Sequence, residues 1–140
     1  VPVNFFCEDI EFQLDHPEYH QRWIDSIVKK ENRVSKVVNY IFCSDEKLLE
    51  LNQKYLAHNT YTDILTFNQS DDNTYIEADI FISIPRVEEN TISLNQEFHH
   101  ELRRVMAHGL LHLMGFDDHT EVEQKLMREK EEACLSLWAD

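Results

Sequence analysis

The chain has 140 residues, the size of one ordinary domain, and its apolar share of 42% allows a buried core and excludes a disordered chain. No apolar run approaches the roughly 18 residues of a membrane span. Thirteen basic against 27 acidic residues leave a net charge of −14, the reverse of a nonspecific nucleic-acid binder, so any nucleic acid must be met by a local cationic rim.

In chain order, Val1-Pro2-Val3-Asn4-Phe5-Phe6 and Ile10-Glu11-Phe12 read as extended or edge segments, and Pro17 suits the first turn of a helix that buries Trp23, Ile24, Ile27 and Val28. The β-branched and aromatic run 37–43 predicts a buried strand. Ser44-Asp45-Glu46 then caps a helix carrying Leu48, Leu49, Leu51, Tyr55 and Leu56 at helical spacing. Residues 62–67 and 77–83 read as two strands, a hairpin or neighbouring pair, separated by the turn formers of 68–74.

Ser93 with Gln96 has the capping-box pattern ahead of a helix on which Phe98, Leu102, Val105, Met106, Leu110 and Leu113 recur at a 3.6-residue period, with Gly115 to end it. Thr120 with Glu123 caps a last helix bearing Val122, Leu126, Met127, Ala133, Cys134, Leu137 and Trp138. Strands in the middle with helices at both ends predict an α+β sandwich. With two glycines, no repeat and no linker, residues 1–140 read as one domain. Cys7, Cys43 and Cys134 form no C-x-x-C pair, and with no secretory leader in view they predict free thiols and a cytoplasmic protein.

Chemistry concentrates in residues 108–119, which hold three of the eight histidines. His108 and His112 lie four apart, so on a helix their imidazoles project from one face and can converge on one ion. Asp118 or His119, in the following link, can supply a third ligand, and three ligands plus water is the catalytic zinc pattern. Gly109, costly in a helix interior by about 1 kcal/mol, implies close approach of substrate or another backbone beside the pair. It also occupies the position where the metalloprotease helix carries its glutamate base, which argues against peptide hydrolysis by that route. The pairs His16/His20 and His99/His100 read as solvated or packing residues. The acidic runs Asp71-Asp72, Glu88-Glu89 and 129–132 read as exposed faces, the last relieved by Lys125, Arg128 and Lys130.

Residues 108–118 resemble the H-G-x-L-H-L-x-G-x-D-H signature of the YbeY family of metal-dependent ribosomal RNA maturation endoribonucleases. Leu51-Asn52-Gln53-Lys54-Tyr55, Thr62-Asp63-Ile64-Leu65-Thr66-Phe67 and Asp79-Ile80-Phe81-Ile82-Ser83 resemble that family's L-N-x-x-Y-R, P-T-D-V-L-S-F and D-I-x-I-S segments. The resemblance implies a mixed sheet of about four strands packed against helices, with a metalloprotease-like zinc helix and one zinc ion per chain. It implies single-strand-specific cleavage of RNA, small-subunit ribosomal RNA 3′-end processing and ribosome quality control, with the small ribosomal subunit and its proteins as partners.

Two departures bear on the site. Read without a gap, the family's third metal histidine falls on Asp118, which we favour over His119 one position on. A carboxylate is an acceptable zinc ligand at about 2.0–2.2 Å. The family arginine after the tyrosine is Leu56 here, and the proline before Thr62-Asp63 is Tyr61. Lys54, His58 and Arg86, or Arg103 and Arg104, are the candidate replacement cations. The expected metal set is thus His108, His112 and Asp118, with Asp117 or His119 as a proton shuttle. The rival expectations are a ribosome-assembly binding factor whose metal is structural, and a metal-dependent hydrolase of small substrates.

Overall fold

A computed structural model describes residues 2–56 and 62–138. Its elements run β1 (Val3–Cys7), α1 (Pro17–Lys30), β2 (Val34–Cys43), α2 (Asp45–Leu56), β3 (Ile64–Asn68), β4 (Tyr75–Ser83), α3 (Ile84–Leu94), α4 (Phe98–Leu113) and α5 (Glu121–Ser136). The four strands form one mixed sheet in the order β1-β2-β4-β3. β1 and β4 both lie parallel to β2, and β3 returns antiparallel to β4, with Ile64 opposite Ile82 and Asn68 opposite Ala78. The α+β class, the mixed four-stranded sheet and the β3–β4 pair are as expected from the sequence.

Period-two alternation sorts the sheet into two faces. Val38, Tyr40 and Phe42 of β2 and Ala78, Ile80 and Ile82 of β4 point to one side and are essentially inaccessible. There they meet the apolar stripe of α1 (Trp23, Ile24, Ile27, Val28) and that of α4 (Leu102, Val105, Met106, Leu110). Buried polar tips find partners, as they must: the Trp23 indole donates to the Cys134 carbonyl at 2.9 Å and the Tyr40 hydroxyl to the Met106 carbonyl at 3.0 Å. On the opposite face α2 covers one end of the sheet, where Leu48 packs with Cys43 and Leu65 and with Leu51, Phe67 and Phe81. Of the helical run assigned to α2, Tyr55 and Leu56 stay exposed.

The pairing of Ser93 with Gln96 as a cap is corrected. Residues around Ser93 belong to α3, a helix that apolar periodicity does not reveal because it buries only Ile84 and Val87 and leaves Ile92 and Leu94 exposed. Its start is nonetheless written locally: Ser83 accepts from the Arg86 amide and Pro85 occupies the first turn. The Ser93 hydroxyl instead donates back to the Glu89 carbonyl at 3.2 Å, and Glu97 caps α4 by accepting from the amides of His99 and His100, each at 3.0 Å. At the other end of α4, Gly115 takes φ 96°. Its amide reaches the His112 carbonyl and that of Phe116 the Leu111 carbonyl, each at 3.0 Å, the paired bonds of a Schellman ending.

Candidate metal centre

Helix α4 carries His108 and His112 one turn apart, with Gly109 between them turned to the sheet. A Cβ at Gly109 would stand 2.6 Å from Ile64 Cδ1 and 3.4 Å from Ile80 Cγ2 and Thr66 Cγ2. The close approach that this glycine permits is therefore that of the side chains of β3 and β4, not of a substrate or a backbone.

The Schellman turn at Gly115 reverses the chain, and the Thr120 and Glu123 capping box starts α5 as expected, with reciprocal bonds of 3.1 and 2.9 Å. The short link between these two fixed points brings Asp118 back over the histidines, its backbone carbonyl accepting from the Gln124 side-chain amide at 3.1 Å. His108 Nε2 and His112 Nε2 lie 2.9 Å apart, and Asp118 Oδ2 is 3.5 Å from each. Donors at about 2.0–2.2 Å from a tetrahedral ion stand about 3.3–3.6 Å from one another, so the three atoms have nearly the spacing a metal requires. Among the described residues this is the one group of three or more such side chains able to hold an ion. Asp118 is half-buried, whereas Asp117 and His119 are exposed and lie outside the group.

Behind the histidines sits an ionic cluster that the acidic-run reading missed. Glu131 is only 5% exposed. Its Oε2 lies 2.5 Å from His108 Nδ1 and its Oε1 3.4 Å from Arg104 Nη1. Arg104 also donates to both oxygens of the fully buried Glu101, at 2.8 and 2.6 Å, and that ion pair holds its guanidinium firmly protonated. Two buried carboxylates thus share one guanidinium, and Asp118 adds a third negative group, a charge balance suited to a cation among these residues. The expectation that 129–132 is a solvated face is corrected at Glu131. The sequence did hold the signal, because Met127, Glu131 and Cys134 form the buried stripe of α5.

The candidate phosphate contacts are placed as follows. Lys54 is exposed near the end of α2, its ammonium 5.3 Å from the Tyr55 ring centroid. Arg86 pairs with Asp45 at 2.5 Å and with Glu89 at 2.8 Å. Arg103 lies over the Trp138 ring and Arg104 is committed to Glu101 and Glu131. His58 and Tyr61 fall outside the described residues.

The profile of the family described as Endoribonuclease YbeY matches residues 4–139 of this sequence. A protein of Cytophaga hutchinsonii named Endoribonuclease YbeY is 49% identical over 96% of this chain and 94% of its own length. One of the same name from Christiangramia forsetii is 46% identical over 97% of this chain and 94% of its own. The solution structure of TM1509 from Thermotoga maritima, 28% identical, matches 96% of this chain and 87% of that one with a TM-score of 0.64. The family profile and the near full-length relatives agree, and the chain belongs to the YbeY endoribonuclease family.

Proposed function

We propose that this protein is a zinc-dependent endoribonuclease that cuts single-stranded RNA, acting in the cytoplasm on the 3′ end of small-subunit ribosomal RNA and in ribosome quality control. The observation that carries the reading is the convergence of His108, His112 and Asp118 at ligand spacing on the segment that bears the family signature. Two nitrogen donors and one oxygen donor suit zinc well. Among the described residues no helix is long and apolar enough to cross a membrane.

His108, His112 and Asp118 would hold the ion, which when bound lowers the pKa of its water and polarises a phosphate oxygen. Asp117, exposed and next in sequence to Asp118, is the candidate to pass a proton to or from the reacting oxygens. Lys54 remains the exposed candidate for phosphate contact, alongside His58, whereas the guanidinium of Arg86 is engaged by Asp45 and Glu89. The family relationship weighs against an assembly factor with a purely structural metal, because the relatives are named for nuclease activity.

The test combines metal analysis of the purified protein with cleavage of single-stranded ribosomal RNA, with and without chelator, on wild type and on His112→Ala. About one zinc per chain, with cutting lost on chelation and in the variant, is the expected result. Metal without cutting would move the protein to the assembly-factor reading, and no metal would remove the centre. Direct engagement of RNA phosphates further requires that affinity fall steeply with salt.

A further inference from the structure

We propose that Glu131 is a positioning residue for His108, held in place by Arg104, Glu101 and Asn90. This role rests on the metal reading above. The Glu131 carboxylate accepts from His108 Nδ1–H at 2.5 Å, which in the neutral ring puts the lone pair on Nε2, the atom that faces His112 Nε2 and Asp118 Oδ2. The contact also resists turning of the ring, because rotation would break a charge-assisted bond to a buried carboxylate.

Glu131 is itself fixed from behind. Arg104 reaches it with Nη1 while its Nε and Nη2 are clamped by Glu101. The Asn90 side-chain amide donates to Glu101 at 3.3 Å and to Asp63 at 3.0 Å. A chain of polar contacts thus runs from the residue before β3, through α3 and α4, to α5 and the imidazole.

Burial alone gives no reason for a carboxylate at position 131. The neighbouring positions of the same stripe are Met127 and Cys134, and well-packed apolar residues commonly replace buried ion pairs without loss of stability. What an apolar side chain cannot do is accept from His108. The role therefore belongs to the imidazole it touches, not to the packing of α4 on α5.

The experiment compares wild type, Glu131→Gln and Glu131→Met by Zn2+ affinity in competition with a chelating dye. It also reads the His108 tautomer in the chelator-treated protein, by long-range nitrogen-15 to proton correlation. In wild type His108 is expected in the single Nδ1–H form. Glu131→Met, which leaves Nδ1–H without its acceptor, is expected to lose zinc affinity by about 10–100-fold and to give a mixed tautomer. Glu131→Gln, whose amide oxygen can still accept from Nδ1–H, is expected to keep the tautomer, lose several-fold in affinity, and keep the test open where the Met variant fails to fold. Affinity within twofold of wild type together with an unchanged tautomer would reduce Glu131 to a packing group. Wild type that takes up no zinc would overturn the metal reading instead, leaving the tautomer to decide the positioning role by itself.

Discussion

His16 and His20 stand four residues apart, as do His108 and His112, but only the second pair brings its rings together. His16 is the residue before α1, in the left-handed region at φ 51°, so its side chain is not on the helix face that carries His20. It serves His20 through its backbone, the carbonyl accepting from Nδ1 at 3.1 Å. The His20 ring packs among Phe5, Trp23 and Trp138 at 3% exposure, and burial pushes its pKa down to about 4. The other pair lies within one unbroken helix and faces two carboxylates, Asp118 on the open side and Glu131 behind. At His108 and His112 the four-residue spacing yields a group able to hold an ion because the helix runs through both residues and acids rather than aromatic rings receive them.

The largest expected effect separates the pairs by their metal. Asp118→Asn should weaken zinc binding by well over tenfold, while His119→Ala and His16→Ala should leave metal content at the wild-type level. The reverse order between Asp118 and His119 would show that the third ligand is the histidine.

The aromatic setting of His20 should appear in the acid limb of stability. Its folded pKa of about 4 lies below the usual 6.5, so between these values the unfolded chain binds more protons than the folded one and stability rises with pH. The contribution is fully present above pH 6.5 and is lost as pH falls toward 4, to the extent of about 3 kcal/mol. Denaturant melts across this window should show a shallower slope in His20→Gln than in wild type. An unchanged slope would mean that the ring does not titrate as its packing demands.

A third comparison concerns how closely each helix approaches the sheet. Gly109→Ala gains about 1 kcal/mol of helix propensity but sets a methyl 2.6 Å from Ile64 Cδ1, an overpacking that costs about 1–3 kcal/mol. Because Cδ1 is the free end of a half-buried side chain that can turn aside, the variant should be destabilised by at most about 1 kcal/mol, and the loss should shrink in an Ile64→Val background, where the clashing carbon is absent. Additive effects in that double-mutant cycle would place the strain elsewhere. An effect of similar size is expected for Thr120→Ala, at about 1 kcal/mol of stability for a lost cap, with a modest drop in zinc affinity because the cap anchors the link that carries Asp118.

Much of this was legible in the sequence because local chemistry dictated it. The core face of β2, the stripe of α4, the Thr120 box and the Gly115 stop are each set by residues within a few positions of one another. The approach of His108, His112 and Asp118 was legible for the same reason, since helix phase and one short reversal bring them together. What escaped was α3, whose start lies in a Ser-Pro cap and whose exposed Ile92 and Leu94 blur the period. Glu131 and Glu101 escaped too: the stripe of α5 marks position 131 as buried, but what a buried acid does there emerges only once Arg104 and His108 are placed against it. The His20 environment likewise depends on Trp138, 118 positions away, whose ring centroid lies at 4.5 Å.

The sheet order has a consequence for how the protein behaves when concentrated. Its two edges are the five-residue strands β1 and β3, while the ten-residue β2 and nine-residue β4 lie inside. Each border strand thus offers little unpaired backbone for a foreign strand to template on, and a net charge of −14 sets like molecules against one another before their borders meet. The two longest strands, which between them carry most of the sheet's apolar residues, are the ones that folding seals on both sides.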